Sequence, residues 1–562
     1  MTSRLLILLG ALAALPSCRC NEERPATSRQ PAQPPAAARE DAAPDRPRLV
    51  VLVVIDQLPS WSFSRSAPHL SGGLGRLVRE GVFYPEAEIP YSNTFTAVGH
   101  AAIATGAPPR ETGILANAWH MDGSLEQTGC TDDPESPVLG PRAEPGEGES
   151  SRRLQVEGVA DMLERATGGA ARTVSISLKD RAAILTGGRK PDLALWWDPA
   201  QALMTTSRYY AAERPAWLDP AQGLVGAPDR FLAATWEPRD PAACAALTGA
   251  EDDQAGEGGN HGLGKTFPHP LTEVEQPGKA ILNTPFATEI LFETATAALR
   301  AEKLGADEVP DLLAISVSSH DYAGHGWGQE SWECADVLLD IDRRLGDLFE
   351  LLDAEIGEDR WAALLTSDHG AQPLNPAAGT GASRDGRHHI LKEQAVGAAQ
   401  KAAARVLGGG QWAHALSANI IQVTPAFSAL PAEKKAPALE AMVKALQGIP
   451  GMGLVAPVAE LAGDCARHQE PVRRRACLSL PPGGGEGIVA LAGPGSQYVG
   501  DHPFGAGHGG DSAEERVVPV VIRAPGRAPA RHEGTVSFLR VAPTLSALLG
   551  VPPPPAATEP PL

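Results

Sequence analysis

The sequence predicts an α/β fold, with a doubly wound, mostly parallel central sheet flanked by helices and an inserted cap or subdomain. Three short apolar runs support this prediction, at residues 49–55, 312–317 and 362–366. Runs of this length and aliphatic composition are typical of strands buried on both faces, as in parallel sheets. Ligands of open α/β sheets bind beyond the carboxyl ends of such strands, so side chains that follow the three runs should share one rim.

Metal-binding side chains follow each of the three runs. Asp56 comes directly after the first, Asp321 and His325 follow the second, and Asp368 and His369 follow the third. Carboxylate oxygens and imidazole nitrogens are ligands for zinc and for harder divalent cations. The spacing Asp321-x-x-x-His325 predicts two ligands on one tight loop. Each motif alone is weak evidence, but its recurrence after buried strands predicts a metal site.

The length of the chain limits its domain organisation, and its net charge limits the class of ligand that it binds. The chain has 562 residues, more than one ordinary core needs, so we expect either one large domain with insertions or two domains. The formal net charge of −20 argues against a nucleic-acid-binding surface, because phosphate contacts need clustered Lys and Arg.

The N-terminus predicts export. Arg4 precedes a short apolar run that ends before Cys18, which is typical of a secretory signal and too short to span a bilayer. The sequence Leu-Pro-Ser-Cys at the end of residues 1–18 resembles a bacterial lipobox, which implies a lipid anchor at Cys18. Proline is unusual in that motif, so secretion without a lipid is the alternative. We expect a periplasmic or cell-envelope protein whose only membrane contact is this anchor.

The rest of the chain is predicted to consist of five segments. These are a disordered linker (19–47), the first part of the core (48–371), the inserted cap or subdomain mixed with core (372–500), the completion of the core (501–550) and a Pro-rich tail (551–562). Apolar residues at three- and four-residue spacing predict a helix over 329–352. Further helices are expected near 392–407, 432–447 and 541–549.

Two threonines lie where a polar loop meets a run of small residues, in 91–106. This pattern predicts a helix N-terminus, which favours an anion. The hydroxyl of Thr94 or Thr96 would become a nucleophile there if a metal lowered its pKa. Alternatively, either threonine caps the helix, and the pattern alone leaves both interpretations open.

Two cations follow a predicted strand at 173–177. The alternation in Lys179-Asp-Arg181 would place both on one side if the backbone stays extended. Solvated surface charge is the alternative interpretation. Among the cysteines no CxxC pair occurs, and Cys465 with Cys477 is the nearest candidate for a disulfide.

Together these motifs resemble the alkaline phosphatase superfamily, over residues 48–550. Within it the chain is most similar to the threonine-nucleophile, phosphate-irrepressible (PafA-type) alkaline phosphatases, relatives of the nucleotide pyrophosphatase/phosphodiesterases. The matching motifs are, in order, Asp56, Thr96 in Thr-x-x-Gly-His, Asn117, Lys179-x-Arg181, Asp321-x-x-x-His325, Asp368-His369-Gly and His508-Gly.

The resemblance implies an alkaline-phosphatase-like fold with two Zn²⁺ ions per chain. One zinc would be held by Asp321, His325 and His508, and the other by Asp56, Asp368, His369 and Thr96. Thr96 would be the nucleophile, since its place four residues before His100 matches the nucleophile position of the family, which that of Thr94 does not. His100 would support the site without binding metal. Asn117, Lys179 and Arg181 would surround the phosphoryl oxygens.

The implied function is hydrolysis of small-molecule phosphate monoesters through a phosphothreonine. A phosphodiesterase or nucleotide pyrophosphatase is the alternative, although Lys179 and Arg181 favour the more highly charged monoester. A sulfatase would need Cys/Ser-x-Pro-x-Arg, which Thr96-Ala-Val-Gly does not match. A phosphoglycerate-mutase-like enzyme would lack the signal. A non-catalytic lipoprotein is disfavoured by the complete ligand set. The oligomeric state stays open.

Overall fold

The structure is a computed structural model that describes residues 46–562 apart from 121–123, 142–145, 250, 376–386 and 500–503. The predicted signal, Cys18 and nearly all of the predicted linker therefore lie outside the described residues. Among the helices that the structure describes, none has both the length and the apolar character needed to cross a bilayer.

A ten-stranded central sheet and a separate four-stranded sheet contain most of the strands. Numbered along the chain, the strands of these two sheets are β1 (Leu49–Ile55), β2 (Val82–Glu88), β3 (Thr173–Ser177), β4 (Leu193–Asp198), β5 (Leu203–Thr205), β6 (Asp311–Val317), β7 (Trp361–Thr366), β8 (Ala413–Ser417), β9 (Ile420–Val423), β10 (Met452–Pro457), β11 (Ile488–Ala492), β12 (Val517–Arg523), β13 (Ala530–Arg531) and β14 (Val536–Ser537). The other described strands form two-stranded ribbons, which pair Ala118–His120 with Gln127–Gly129, Asp132–Pro137 with Gly148–Glu149, Thr235–Trp236 with His269–Pro270, and His389–Leu391 with Gln497–Val499.

The longer helices lie either on the two faces of the central sheet or, between residues 387 and 499, in a separate part of the chain. They are α1 (Ser60–Ser66), α2 (Gly73–Glu80), α3 (Thr96–Thr105), α4 (Val159–Thr167), α5 (Asp180–Thr186), α6 (Pro241–Thr248), α7 (Pro285–Ala301), α8 (Ser319–Trp327), α9 (Trp332–Glu355), α10 (Lys392–Leu407), α11 (Ala432–Gln447), α12 (Pro471–Leu478) and α13 (Val541–Leu549).

The central sheet has the strand order β13-β2-β12-β7-β1-β6-β3-β4-β5, and β14 also pairs with β2. The five strands from β7 to β4 are parallel neighbours. On one side β12 runs antiparallel to both β7 and β2, and on the other β5 runs antiparallel to β4. The predicted α/β class is confirmed, with a parallel centre and a mixed periphery.

Strand β1 shows why helices lie on both faces. All seven of its residues are buried, and alternate side chains point to opposite faces of a strand. They accordingly enter two hydrophobic clusters, Leu49, Val51, Val53 and Ile55 in one and Val50, Leu52 and Val54 in the other. Helices α2, α7 and α9 contribute to the first cluster, and α3, α4 and α13 to the second. The continuous apolar run therefore specifies a doubly wound sheet.

The segment between 387 and 499 has a core of its own. Its sheet has the order β8-β9-β11-β10, entirely antiparallel. Helices α10 and α11 pack against this sheet in a separate hydrophobic cluster. Their bounds agree with the helices predicted near 392–407 and 432–447. We call this segment the inserted subdomain.

Several local predictions are confirmed by the structure. Helix α9 buries the predicted apolar stripe, although it begins at Trp332, where the Ser331 hydroxyl accepts a hydrogen bond from the Cys334 N–H (3.1 Å). The pair Cys465–Cys477 forms a disulfide. One prediction is wrong: Asp321 and His325 lie on helix α8 rather than on a tight loop, where a four-residue spacing still places them on one face.

Candidate active site

The carboxyl ends of three neighbouring strands bring the predicted ligands together. Strand β1 lies between β6 and β7 in register, so Ile55 is opposite Val317 and Val54 is opposite Thr366. Asp56 directly follows β1, Asp321 lies in the first turn of the helix after β6, and Asp368 is two residues beyond β7. All three carboxylates are almost completely buried.

One group of potential metal ligands consists of Asp321, His325 and His508. The two imidazole Nε2 atoms are 3.2 Å apart, and Asp321 Oδ1 lies 3.3 Å from His325 Nε2 and 3.5 Å from His508 Nε2. His508 comes from the loop before β12, far from the other two in sequence. Three mutually close donor atoms thus form an open face that a single cation can occupy.

A second group consists of Asp56, Asp321 and His369, and it shares Asp321 with the first. His369 Nε2 lies 3.6 Å from Asp56 Oδ1 and 3.3 Å from Asp368 Oδ2. The resemblance assigned Asp368 rather than Asp321 to this group, and the structure includes Asp321 in the group and places Asp368 beside it. The rings of His369 and His508 stack with centroids 3.7 Å apart, so the two groups adjoin.

Backbone carbonyls orient the three histidines. Nδ1 of His325 lies 3.0 Å from the Ala506 oxygen, that of His508 lies 2.7 Å from the Thr94 oxygen, and that of His369 lies 3.0 Å from the Gly370 oxygen. A carbonyl only accepts, so each Nδ1 donates, and in the neutral ring each Nε2 presents a lone pair to the site. This is the tautomer that a metal requires of a histidine ligand.

The site contains acceptors that face one another without a proton between them. Asp56 Oδ1 and His369 Nε2 are buried and make no hydrogen bond to any described residue, and the buried Asp368 Oδ2 lies 3.2 Å from His100 Nδ1, whose N–H is directed to the Thr96 oxygen. Burial lowers the pKa of His369 well below its ordinary value, and His508 lowers it further, so that ring stays neutral. Converging buried lone pairs are costly unless a cation lies among them. The residues present therefore fit metal ions.

Lys179 supplies part of the missing positive charge. Its Nζ donates to Asp56 Oδ2 (2.7 Å) and to Asp321 Oδ2, and lies 3.5 Å from the Thr96 hydroxyl. Burial opposes the charged form of this lysine, but Asp321 and Asp56 outweigh it and raise its pKa. Burial raises the pKa of Asp56, and the two neighbouring aspartates raise it further. One buried lysine does not neutralise three carboxylates.

Thr96 is the first residue of α3, and its side chain is almost completely buried. The N-cap position belongs to Phe95, and no side chain caps the helix from there, so neither threonine is the cap. The Thr94 hydroxyl has other partners, because it lies 2.9 Å from the Gly510 oxygen and 3.1 Å from Glu515 Oε2 and can donate a hydrogen bond to either. This leaves the Thr96 hydroxyl, at a positive helix terminus beside Lys179, as the candidate nucleophile.

Two neighbours of Thr96 explain the Thr-x-x-Gly-His pattern. A Cβ on Gly99 would lie 2.1 Å from the carbonyl oxygen of Asp368, so only glycine lets α3 pack this closely. His100 has both ring nitrogens engaged, with Nδ1 donating to the Thr96 oxygen (2.8 Å) and Nε2 accepting from Ser316 (2.8 Å). His100 therefore packs beneath the site without a free nitrogen for metal.

The two remaining predicted residues are Asn117 and Arg181. Asn117 Oδ1 accepts a hydrogen bond from the Ala97 N–H (2.9 Å) at the start of α3. Arg181 lies in the first turn of α5, so the premise of an extended backbone through Lys179 and Arg181 is wrong. Its Nε is buried and unpartnered among the described residues, and its Nη1 lies 3.5 Å from Asp180. Burial disfavours its charge, but Asp180 and Tyr322 raise its pKa.

Sequence reasoning missed Gln57. Its backbone adopts a left-handed conformation (φ +63°), which is uncommon for a residue other than glycine. Its N–H donates to Asp368 Oδ1 (3.2 Å), and its side chain donates to Asp321 Oδ1 (3.0 Å) and accepts from Gln329 (2.7 Å). The only sequence signal was its place directly after Asp56.

A cavity of about 270 Å³ opens beside the site and is shared by the core and the inserted subdomain. The core contributes Phe95, Asn117 and His508, and the subdomain contributes Leu416 and Tyr498. A buried hydroxyl, cations and metal-binding groups beside a cavity can together transfer a phosphoryl group.

Residues 50–408 match the family model described as type I phosphodiesterase / nucleotide pyrophosphatase. The chain belongs to this family. It is 32% identical to alkaline phosphatase PafA of Elizabethkingia meningoseptica over 60% of this chain, and 34% identical to alkaline phosphatase PhoV of Synechococcus elongatus over 58%. These alignments span 62% and 59% of the two relatives, less than two thirds of either length.

A crystal structure of alkaline phosphatase PafA superposes with a TM-score of 0.82 at 26% identity, over 93% of this chain and 99% of that one. A variant of PafA, solved with one threonine, one asparagine, one lysine and one arginine replaced, superposes with a TM-score of 0.81 at the same identity and coverage. Those four positions follow one another at the same intervals as Thr96, Asn117, Lys179 and Arg181. The fold of this family member is therefore alkaline-phosphatase-like.

Proposed function

We propose that this protein is a zinc-dependent phosphate monoester hydrolase, an alkaline phosphatase, that acts through a phosphothreonine at Thr96. The single observation that most favours this function is the buried Thr96 hydroxyl at the N-terminus of α3, 3.5 Å from Lys179 Nζ and beside two adjoining groups of metal ligands. The named relatives, both alkaline phosphatases, support the same activity.

The donor set supports zinc. Its preferred geometry is tetrahedral with bonds of about 2.0–2.1 Å, for which neighbouring ligand atoms are about 3.3–3.4 Å apart. In the group of Asp321, His325 and His508 the three separations are 3.3, 3.2 and 3.5 Å. In the second group His369 Nε2 lies 3.6 Å from Asp56 Oδ1, and Asp368 Oδ2, beside that group, lies 3.3 Å from the same nitrogen. We propose one ion at each group, the second held by Asp56, Asp368, His369 and Thr96.

Bound zinc would supply Lewis acidity, stabilising negative charge on the entering and leaving oxygens of an in-line displacement. The protein's own residues do the rest. Thr96 Oγ loses its proton to water, and Lys179 stabilises the ionised hydroxyl with its charge. The oxygen then forms a bond to phosphorus as the bond to the alcohol oxygen breaks, and the alcohol takes up a proton from water as it leaves. Water then hydrolyses the phosphothreonine, which releases inorganic phosphate and returns Thr96. Asn117 and Arg181 would hold the outer phosphoryl oxygens, which places most of the catalysis in positioning and electrostatics.

Charge balance favours a monoester over a diester. Three aspartates, Lys179 and Arg181 together leave about one negative charge, which two divalent cations would convert to an excess of positive charge. A monoester dianion and the ionised threonine would neutralise that excess, whereas a diester carries one charge fewer.

The experiment that tests this function compares two substrates and measures metal content. The purified protein should hydrolyse an aryl phosphate with a kcat/KM at least about 10²-fold above that for the matching methyl aryl diester, since each charge-assisted contact contributes about 1.5–3 kcal/mol. Elemental analysis should find close to two zinc ions per chain, and chelation should abolish turnover until zinc is returned. A preference for the diester would establish the phosphodiesterase alternative instead.

We also propose that the protein is exported to the bacterial periplasm or cell envelope and is anchored through Cys18. The support is the sequence of residues 1–18, which lie outside the described residues. The Cys465–Cys477 disulfide is consistent with an oxidising compartment.

A further inference from the structure

The inserted subdomain reaches the active site through one tight turn. Strands β8 and β9 pair as a hairpin, and the two residues that connect them are Ala418 and Asn419. Both have left-handed backbones, with φ of +51° and +61°, as a type I′ turn requires. Asparagine tolerates this conformation, but alanine does so only under strain. Both residues are buried, so the strained turn is held against other parts of the protein.

The amide nitrogen of Asn419 joins two segments of the core. Nδ2 donates to Asn93 Oδ1 (2.9 Å) and to the Gly509 carbonyl oxygen (2.7 Å). Asn93 is three residues before Thr96, and Gly509 directly follows His508. Both hydrogens of one side-chain amide therefore link the segment of the candidate nucleophile to the segment of a candidate metal ligand.

The turn is fixed on its other side as well. The Ala490 N–H in β11 donates to the Asn419 carbonyl oxygen (2.9 Å), which ties the turn to the subdomain sheet. Asn93 Nδ2 donates to the Leu115 oxygen (2.9 Å), so its side-chain oxygen has a defined direction toward Asn419. The link between sheet and nucleophile segment is thus a continuous chain of buried hydrogen bonds.

We propose that Asn419 is a positioning residue for phosphoryl transfer, through which the inserted subdomain sets the spacing between Thr96 and His508. This inference rests on the proposed function, and it assigns to the subdomain a part in assembling the active site rather than only in lining the cavity. A small displacement of a nucleophile lowers the rate strongly, because in-line attack needs aligned atoms at short distance.

The test uses three substitutions in the complete protein. Asn419→Ala removes both hydrogen bonds, and we expect kcat to fall at least tenfold with KM changed less than threefold. Asn419→Asp keeps the size but opposes a carboxylate to two acceptor oxygens, so the loss should be larger. Ala418→Gly is the matched control, because it relieves the backbone strain at the preceding residue and keeps both hydrogen bonds of the Asn419 amide. Its kcat should stay within twofold of the wild type.

Two further readouts separate positioning from a purely structural role. Zinc content should stay unchanged in Asn419→Ala, and amide hydrogen exchange should quicken in the peptides that cover 92–96 and 508–510. Unchanged kcat, or a loss of kcat that merely follows a loss of zinc, would overturn the proposal. Should Asn419→Ala fail to fold, Asn419→Gly decides, since glycine accepts the left-handed turn without the amide.

Failure of this inference differs from failure of the proposed function. A wild-type protein that hydrolyses no phosphate ester would refute the function, and hydrogen exchange in the same variants would still decide whether Asn419 couples the two segments. If the wild type is active and the Asn419 variants have the same kcat as the wild type, only the proposed coupling is refuted.

Discussion

At the scale of single residues, three backbone carbonyls determine what the site can bind. Each carbonyl accepts a hydrogen bond from one Nδ1–H. In the neutral rings of His325, His369 and His508 the lone pair of Nε2 is then directed at the buried carboxylates. His100 lies close by but donates and accepts with both nitrogens. The difference between a ligand and a supporting histidine is therefore made by its hydrogen-bond partners, which the sequence does not show.

Thr96 is the residue on which the proposed mechanism depends most. We expect Thr96→Ala to abolish turnover, because it removes the hydroxyl that we propose forms the covalent intermediate, while most zinc stays bound to the remaining protein ligands. Thr96→Ser keeps a hydroxyl and should retain measurable activity. Mass spectrometry of wild-type protein quenched in acid during turnover should locate phosphate on Thr96.

Thr105→Ala serves as the matched control for this series. Thr105 is buried at the other end of the same helix, where its hydroxyl donates to the Ala101 oxygen (2.6 Å), so its replacement perturbs α3 without touching the site. Its kcat should stay near that of the wild type. Phosphate found on Thr94, or full activity in Thr96→Ala, would contradict the assignment.

At the scale of elements, the strands were predictable and the segments after them were less so. A continuous apolar run such as Leu49–Ile55 has one favourable environment, a strand covered on both faces, and this fixes the rim at which Asp56 lies. The helix that contains Asp321 and His325 was missed because Ser319–Trp327 is rich in glycine and polar residues, and tertiary contacts rather than propensity stabilise it.

The junction of β3 and α5 shows the same limit. Lys179 is the last extended residue and Arg181 is already helical, so the two cations are not placed by strand alternation. Lys179 pairs with Asp56 and Asp321, whereas Arg181 has no ligand carboxylate within ion-pair distance among the described residues. The fold alone shows that Lys179 pairs with the ligand carboxylates, and this leaves Arg181 as the cation that we propose contacts the substrate.

This difference yields a substrate-specific prediction. Arg181→Ala should lower kcat/KM for an aryl phosphate about 10- to 10²-fold more than for the methyl aryl diester, since the monoester offers one more charged oxygen and such a contact contributes about 1.5–3 kcal/mol. Lys179→Ala should reduce both activities, because it removes the charge beside the Thr96 hydroxyl, while zinc should stay bound, because the two buried carboxylates that lose their lysine still need a cation.

Arg172→Ala is the control, at the opposite end of the same strand, where Arg172 pairs with Asp192 at the surface (3.1 Å). Its two kcat/KM values should be close to those of the wild type. If Arg181→Ala lowers kcat/KM equally for both substrates, this arginine has a structural rather than a phosphate-binding role.

At the scale of the whole molecule, the site gathers residues from distant parts of the chain. Asp56, Asp321 and Asp368 come from the first part of the core, and His508 returns only after the inserted subdomain. Asn419 adds a contact from the subdomain itself. Pattern reasoning could find ligands that follow buried strands, but it had no means to find Asn419, whose turn carries no chemical signature in sequence.

The last prediction concerns where this molecule works. Cys18 follows a short apolar run, and residues 19–47 are rich in proline, alanine and charge, so a lipid on Cys18 would tether the folded part to a membrane by a polar segment.

Wild-type protein should then sediment with membranes and be released by detergent but not by salt. Cys18→Ala should accumulate as an unprocessed precursor or appear in the soluble periplasmic fraction, with unchanged kcat per zinc-loaded chain, because the candidate site residues all lie between Asp56 and His508. Cys130→Ala, which changes a buried cysteine of the folded part, should leave the fractionation as in the wild type. Wild-type protein found entirely in the soluble fraction, with the same mass as the Cys18→Ala protein after signal removal, would refute the lipid anchor and leave secretion alone.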